Sequence, residues 1–310
     1  MNERLPKQSR GAAIVLAMLL AALAATIATT LLWQQQRWIN DHEHRRDQVQ
    51  AQALAMAGVQ WARQIVYDNA PAGAPVHAGQ PWALRLPAIP LENGSISGYI
   101  VDAQSRINVN NLAIAANRPA TRAALSRLLA ALGLPDATLD AFTDWVDDDD
   151  KVTAPGGAED AWYMAQANPG LAANATVTRA SELTAVRGAS VALVTALRPF
   201  VGALDAPTAV NVNTASPEVL AAIANGLDRA AALALVTKRT QQPYTSVADF
   251  RARLPRADIT IDDALVTVTS SWFEVSIEAR QGDTLARARA LLKRAAGQGT
   301  WPAVVWQTVE

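Results

Sequence analysis

The hydrophobic pattern changes period along the chain, and each change marks an element. No charged residue lies between Arg10 and Arg37. As a helix, that run crosses roughly 30 Å of hydrocarbon, a span that needs about 20 residues. Beyond it, Val49, Ala53, Met56, Ala57, Trp61 and Ile65 recur at spacings of three and four, while Arg45, Arg46, Asp47, Gln52, Gln60 and Arg63 stay off that stripe. This spacing predicts an amphipathic continuation that packs the stripe on a soluble head. No Pro and only Gly58 interrupts residues 12–69, so one helix of roughly 85 Å is expected at about 1.5 Å per residue.

Residues 71–94 hold five Pro and three Gly and read as a loop. Ser95–Asp102 and, after a polar break, Arg106–Asn111 have strand composition. From about residue 119 the period becomes helical: Leu125, Leu128, Leu129 and Leu132 run to Gly133, a C-cap candidate, and Leu139, Phe142, Trp145 and Val146 form the next apolar face. Short helices are predicted at 181–187, 190–197, 216–225, 228–240 and 246–253, with Ser216-Pro217-Glu218 supplying an N-cap and a Pro at the first helical position. After about 265 the period drops to two. Phe273, Val275, Ile277 and Ala279 alternate with Trp272, Glu274, Ser276 and Glu278; Gly282-Asp283 is a turn; LARARALLKR alternates again, and Ala303–Val309 completes the set. LARARALLKR would also make an acceptable helix. The order of long helix, strands, helical block and strands predicts an α+β fold in which a large all-α domain interrupts one antiparallel sheet, since neither strand group stands alone. The expected divisions are 1–11, 12–36, 37–110, 111–264 and 265–310.

Composition sharpens this reading. Of 310 residues half are apolar, and 27 Lys and Arg stand against 28 Asp and Glu. The near balance argues against a protein that grips nucleic acid chiefly by counterion release. With no Cys, disulfides, thiolate catalysis, Cys-ligated zinc and iron–sulfur clusters are excluded together. The leader carries Arg4, Lys7 and Arg10 against Glu3, which places it in the cytoplasm and the remainder across the membrane, with Trp33 and Trp38 as interfacial anchors. A secretory signal core of about 7–15 residues is shorter than this run, leaving a plain uncleaved anchor or a third possibility. The junction Arg10-Gly11 followed at once by the apolar helix from Ala12 resembles the class III leader of type IV pilins and pseudopilins, which implies cleavage after Gly11 by a prepilin peptidase.

The densest candidate chemistry is acidic. Asp144, Asp147, Asp148, Asp149, Asp150, Glu159 and Asp160 fall within 17 residues, with Lys151 the only basic residue among them. Such carboxylates repel and raise one another's pKa unless a cation intervenes, and Ca2+ takes six to eight oxygen ligands. Mg2+ prefers few carboxylates and keeps its waters. The spacing is not that of an EF-hand: counting from Asp148, Val152 falls on the fifth position and Thr153 on the obligatory Gly. The competing reading is a solvated loop whose Glu159 and Asp160 favour a helix N-terminus.

Two other functional classes compete. AVNVNTASPEVLAAIANGLDRAAALALVTKR followed by PYTSVADF resembles the helix-hairpin-helix of membrane-anchored DNA-uptake receptors. Between Asn211 and Arg256, however, six basic residues face three acids, around the single-Gly turn at Gly226, a modest excess for a phosphate grip. Catalysis is not expected: His42 and His44 flank the membrane run, His77 sits in the Pro/Gly loop, and no Ser occurs in a GxSxG or SxxK context nor any His in HExxH.

Taken in order, RGAAIVLAMLL, INVNNL, DWVDDDDKVTAPGGAEDAWY, SELTAVRG, NVNTASPEVL and SSWFEV span nearly the whole chain and resemble the general secretion pathway protein K family of type II secretion minor pseudopilins. The resemblance implies a pseudopilin fold with an inserted α-domain and assembly in place of catalysis. It implies a single-pass protein of the bacterial inner membrane, with its head in the periplasm and its processed N-terminus methylated, at the tip of the pseudopilus that exports folded proteins. The partners it implies are the I, J and H minor pseudopilins, the major pseudopilin and the prepilin peptidase, with no nucleic acid. It also implies calcium at the acidic motif, for which Asp147, Asp149, Asp150, Glu159 and Asp160 are the expected ligands. Major pilins carry Glu at the fifth mature position; counted from Ala12, this chain has Leu16.

Overall fold

A computed structural model describes residues 8–69, 73–294 and 300–310. Residues 1–7 of the expected leader lie outside the described residues. Helix α1 runs unbroken over Gln8–Asn69, as the absence of Pro predicts. From Gly11 to Arg46 every side chain is exposed, and thereafter Ala51, Ala55, Val59, Ala62 and Val66 are buried.

The face that α1 buries is not the expected one. Val49, Met56 and Trp61 are 66%, 41% and 47% exposed, because the packed stripe sits two residues on, roughly 200° around the helix. Close approach decides between the two: a Cβ on Gly58 would lie 2.8 Å from Ile277 Cγ2 and 3.1 Å from Ile96 Cδ1, so this interface admits Ala, Gly and Val but no Trp or Met. Gly58→Leu is expected to lower stability by about 1–3 kcal/mol through overpacking, which urea denaturation would show as a lower midpoint at unchanged slope.

The helix lies on a five-stranded antiparallel sheet of β1 (Leu86–Leu91), β2 (Gly94–Asp102), β3 (Trp272–Gln281), β4 (Thr284–Lys293) and β5 (Ala303–Val309), in that spatial order. Strand β1 falls inside the stretch expected to be loop. Its Pro87 and Pro90 lack a donor, but β1 is an edge strand with one free side, where that loss is tolerated. The predicted alternation in β3 and β4 holds: Phe273, Val275, Ile277 and Ala279, with Ala286, Ala288, Ala290 and Leu292, are buried against α1. LARARALLKR is therefore strand, paired without a bulge from Thr284–Gln281 to Lys293–Trp272.

Residues 103–271 intervene between the neighbouring strands β2 and β3. The strand expected at Arg106–Asn111 is reduced to Ile107–Asn108, followed by a 3-10 turn over Val109–Ala113. Asn108 explains this, since its side-chain oxygen accepts the N–H of Asn110 and offers the backbone an alternative to the ladder. The other asparagines of INVNN and NVN have similar work, Asn110 holding Val177, Asn111 holding Thr208 and Asn213 holding Tyr244. The helical block comprises α2 (Arg118–Ala131), α3 (Leu139–Val146), α4 (Asp160–Met164), α5 (Val191–Leu197), α6 (Pro217–Ile223), α7 (Arg229–Gln241) and α8 (Val247–Ala252). The cap signals hold: Gly133 has φ +67, and the Ser216 side chain accepts from Val219 N–H. All of these helices but α4 share one core that includes Leu128, Leu129, Phe142, Leu220 and Ile223.

Both chain crossings between sheet and helical block meet at Asp102. Its Oδ2 accepts from Asn211 Nδ2 at 2.9 Å, Thr214 Oγ1 at 2.6 Å and Ser270 Oγ at 2.6 Å, and its Oδ1 from Gln104 N–H at 2.9 Å.

Candidate functional site

The acidic loop begins on α3, which presents Asp140, Asp144 and the C-cap residue Asp147 at spacings of four and three, hence on one face. Asp140 is engaged by Arg122 and by Gly156 N–H at 2.9 Å. Asp144 is fully buried, with both oxygens 3.1 Å from Thr153 N–H. Gly157 makes this closure possible, since a Cβ there would lie 2.1 Å from Asp144 Oδ2 and 2.4 Å from Thr153 O. Asp147 is ion-paired with Arg118 at 3.2 Å through Oδ2, while its buried Oδ1 has no hydrogen-bond partner. Glu159 is buried at the N-cap of α4, and neither of its carboxylate oxygens has a hydrogen-bond partner. The Asn174 side-chain oxygen is likewise buried without one.

The electrostatics match this crowding. Burial, opposed by Arg118 and reinforced by Asp149, Asp144 and Asp148, pushes Asp147 up to about 6. Burial, followed by the charges of Asp144 and Asp147 and opposed by the nearby Asn174 amide, pushes Glu159 up to about 7. Asp144, Asp147, Asp149 and Glu159 thus feel one another's charge. Asp150 is exposed, and Asp160 accepts the N–H of Ala172 at 2.9 Å. Among the described residues no three His, Cys, Asp or Glu side chains stand close enough to share an ion. Carboxylates without a counter-cation repel one another, and hard cations draw on carbonyl oxygens as well. The buried oxygens left without partners belong to Asp147, Glu159 and Asn174. Buried Asp144 and Asn174 lie outside the expected ligand set. Asp144 is legible as the residue one turn before Asp147, whereas Asn174 has no local signal.

Two family models, both described as type II secretion system protein K, match residues 105–206 and 210–269, together more than half the chain. The chain belongs to the type II secretion system protein K family. Type II secretion system protein K of Aeromonas hydrophila is 33% identical over 240 residues, covering 71% of this chain and 72% of that protein. The Klebsiella pneumoniae protein K is 30% identical over 95% and 94%. The crystal structure of the GspK-GspI-GspJ complex from enterotoxigenic Escherichia coli contains a chain that superposes with a TM-score of 0.76 at 25% identity, covering 88% of this chain and 99% of that one. The fold is therefore that of a protein K pseudopilin, its sheet interrupted by the helical block, and the protein is a minor pseudopilin of type II secretion.

For a protein K family member the helix-hairpin-helix likeness needs another explanation, and the side chains supply it. Arg229 pairs with Glu218, Arg251 with Asp263, Arg253 with Asp249 and Arg256 with Asp258, while Arg239 turns inward to the carbonyls of Val212 and Ala215. Five of the hairpin's six cations are engaged within its own structure, and Lys238 alone forms no ion pair among the described residues.

Proposed function

We propose that this minor pseudopilin is anchored in the bacterial inner membrane by a single pass of α1, with its head in the periplasm. On this reading a prepilin peptidase cuts between Gly11 and Ala12 and the new N-terminus is methylated. The protein then works by assembly, at the tip of the pseudopilus. The observation that carries the proposal is the change of environment along α1: thirty-six consecutive exposed side chains from Gly11 to Arg46, then a small-residue face packed on the sheet. The outward face with Val49, Met56 and Trp61 extends that apolar surface toward neighbouring subunits. Leu16, 61% exposed, leaves no carboxylate to pair with the amine of a subunit above it, and an unpaired amine in hydrocarbon is costly. A place with nothing above it suits this chain. The complex formed by the solved relative supports I- and J-type pseudopilins as neighbours, and we assign the H-type and major pseudopilins to the same assembly.

Calcium is the proposed structural ion, with Asp147, Asp149, Asp150, Glu159 and Asp160 as its carboxylate donors and Asn174 as an added carbonyl donor. When bound it would tie the end of α3 to the start of α4, in a head that has no disulfide to do so. Processing is tested by N-terminal sequencing of the membrane-extracted protein. The expected first residue is Ala12, and Gly11→Leu should leave Met1 in place. An intact Met1 in the wild-type protein defeats the proposal.

A further inference from the structure

On the sheet face opposite α1, a groove of about 480 Å3 runs between β2–β5 and the helical block. Five arginines line it: Arg85, Arg106, Arg179, Arg198 and Arg289. Arg106 is neutralised by Glu274 at 2.9 Å. Among the described residues the other four form no ion pair. They come from four separate places, namely the segment before β1, the segment before Ala180, the end of α5 and β4. No local charge run accounts for their meeting. Two lie over aromatic rings, Arg85 over Tyr99 at 4.4 Å and Arg179 over Trp306 at 4.7 Å. Stacking fixes a guanidinium plane while leaving its N–H edge free for a carboxylate. Trp306 also forms part of the wall.

We propose that this groove binds an acidic peptide segment of another protein, its spaced carboxylates gripped by Arg85, Arg179, Arg198 and Arg289. The choice of peptide over a dense polyanion follows from the carboxylates of Glu274 and Glu310 in the same wall and from a chain net charge of −1. Neither favours the counterion release on which nucleic-acid binding depends. Spaced carboxylates can meet the arginines and avoid the glutamates, and bidentate guanidinium–carboxylate pairs supply geometry as well as charge. The proposal stands on the groove alone and holds whether or not the acidic loop takes calcium.

The test uses the full chain in detergent and a short fluorescein-labelled peptide of alternating Glu and Ser, followed by anisotropy. Saturable binding is expected, weakened about tenfold or more by Arg179→Glu with Arg289→Glu and severalfold by Arg85→Lys, which keeps the charge but loses the planar fork. A Lys-for-Glu peptide should not bind. Both reversed residues are exposed, and an unchanged melting temperature shows that the double variant is folded. Equal binding by the double variant, or no saturation at millimolar peptide, overturns the proposal. So does displacement of the peptide by pyrophosphate, single-stranded DNA or phosphatidylglycerol vesicles at lower concentration, since that outcome identifies a phosphate site.

Discussion

Calcium titrated calorimetrically into the full chain at pH 8 is expected to bind and to raise the melting temperature, and at pH 5.5 its affinity should fall about a hundredfold. The fall follows from two protons. Glu159 at about 7 and Asp147 at about 6 are ionised at pH 8 and mostly protonated at pH 5.5, and each must lose its proton to ligate. Without the ion the sign of the stability effect reverses. Both carboxyls lie above their ordinary values of 4.5 and 3.8, so from about pH 4 to 7 the folded state holds more protons than the unfolded chain. The metal-free protein should therefore lose stability as pH rises through that window, by an amount of the order of a few kcal/mol at about 1.4 kcal/mol per pKa unit. Calcium restores that loss where the carboxylates are ionised. Glu159→Gln should flatten the upper half of the pH dependence and weaken calcium binding together. Absence of both binding heat and a melting shift at pH 8 would end the calcium assignment.

The contrast between α1 and the strands shows what a sequence pattern can carry. In β3 and β4 one face is buried on α1 and the other is covered only at the end with Trp272 and Leu291, so a period of two admits one register and a slip would turn the α1-facing residues outward. In α1 two apolar stripes share the same period, and hydrophobicity favours the larger, with Val49, Met56 and Trp61. The decision rests on the distance from helix to sheet, set by Gly58 over Ile277, which no helical periodicity encodes. Strand β1 was hidden by Pro87 and Pro90, which disqualify a central strand but not an edge. At the acidic loop the carboxylates were legible because they are local. Asn174 stands well beyond Glu159 in sequence and is brought beside it by the fold, and the groove arginines are gathered from four separate places in the same way. Contacts of high sequence separation leave no short-range trace.

Replacing Asp102 by Ala should lower stability by about 3–5 kcal/mol, because it strands buried partners. The carboxylate is fully buried, and burial pushes its pKa up against four hydrogen bonds that pull it down. Arg294, also buried, lies close enough for its charge to be favoured by Asp102. Removing the acid takes away that favourable charge and leaves the buried Gln104 N–H without its acceptor. The Thr214 hydroxyl can fall back on Asn211 O at 3.3 Å, and Asn211 Nδ2 keeps Val76 O at 2.9 Å, so the loss is smaller than a simple sum over donors. Asp102→Asn separates shape from charge. It preserves volume and can turn its oxygen to the donors Asn211, Thr214 and Ser270, which sets its NH2 against the Gln104 N–H and removes the charge, so it should cost less than Ala but remain destabilising. Because β2, the start of NVN and the approach to β3 all close on this one residue, the effect should reach both halves of the molecule. Limited proteolysis of either variant is expected to cut near residues 103–106 and 268–271 before the helical block itself, at urea concentrations that leave the wild type intact. Cleavage first within α2 or α6 would show that Asp102 does not join the two halves.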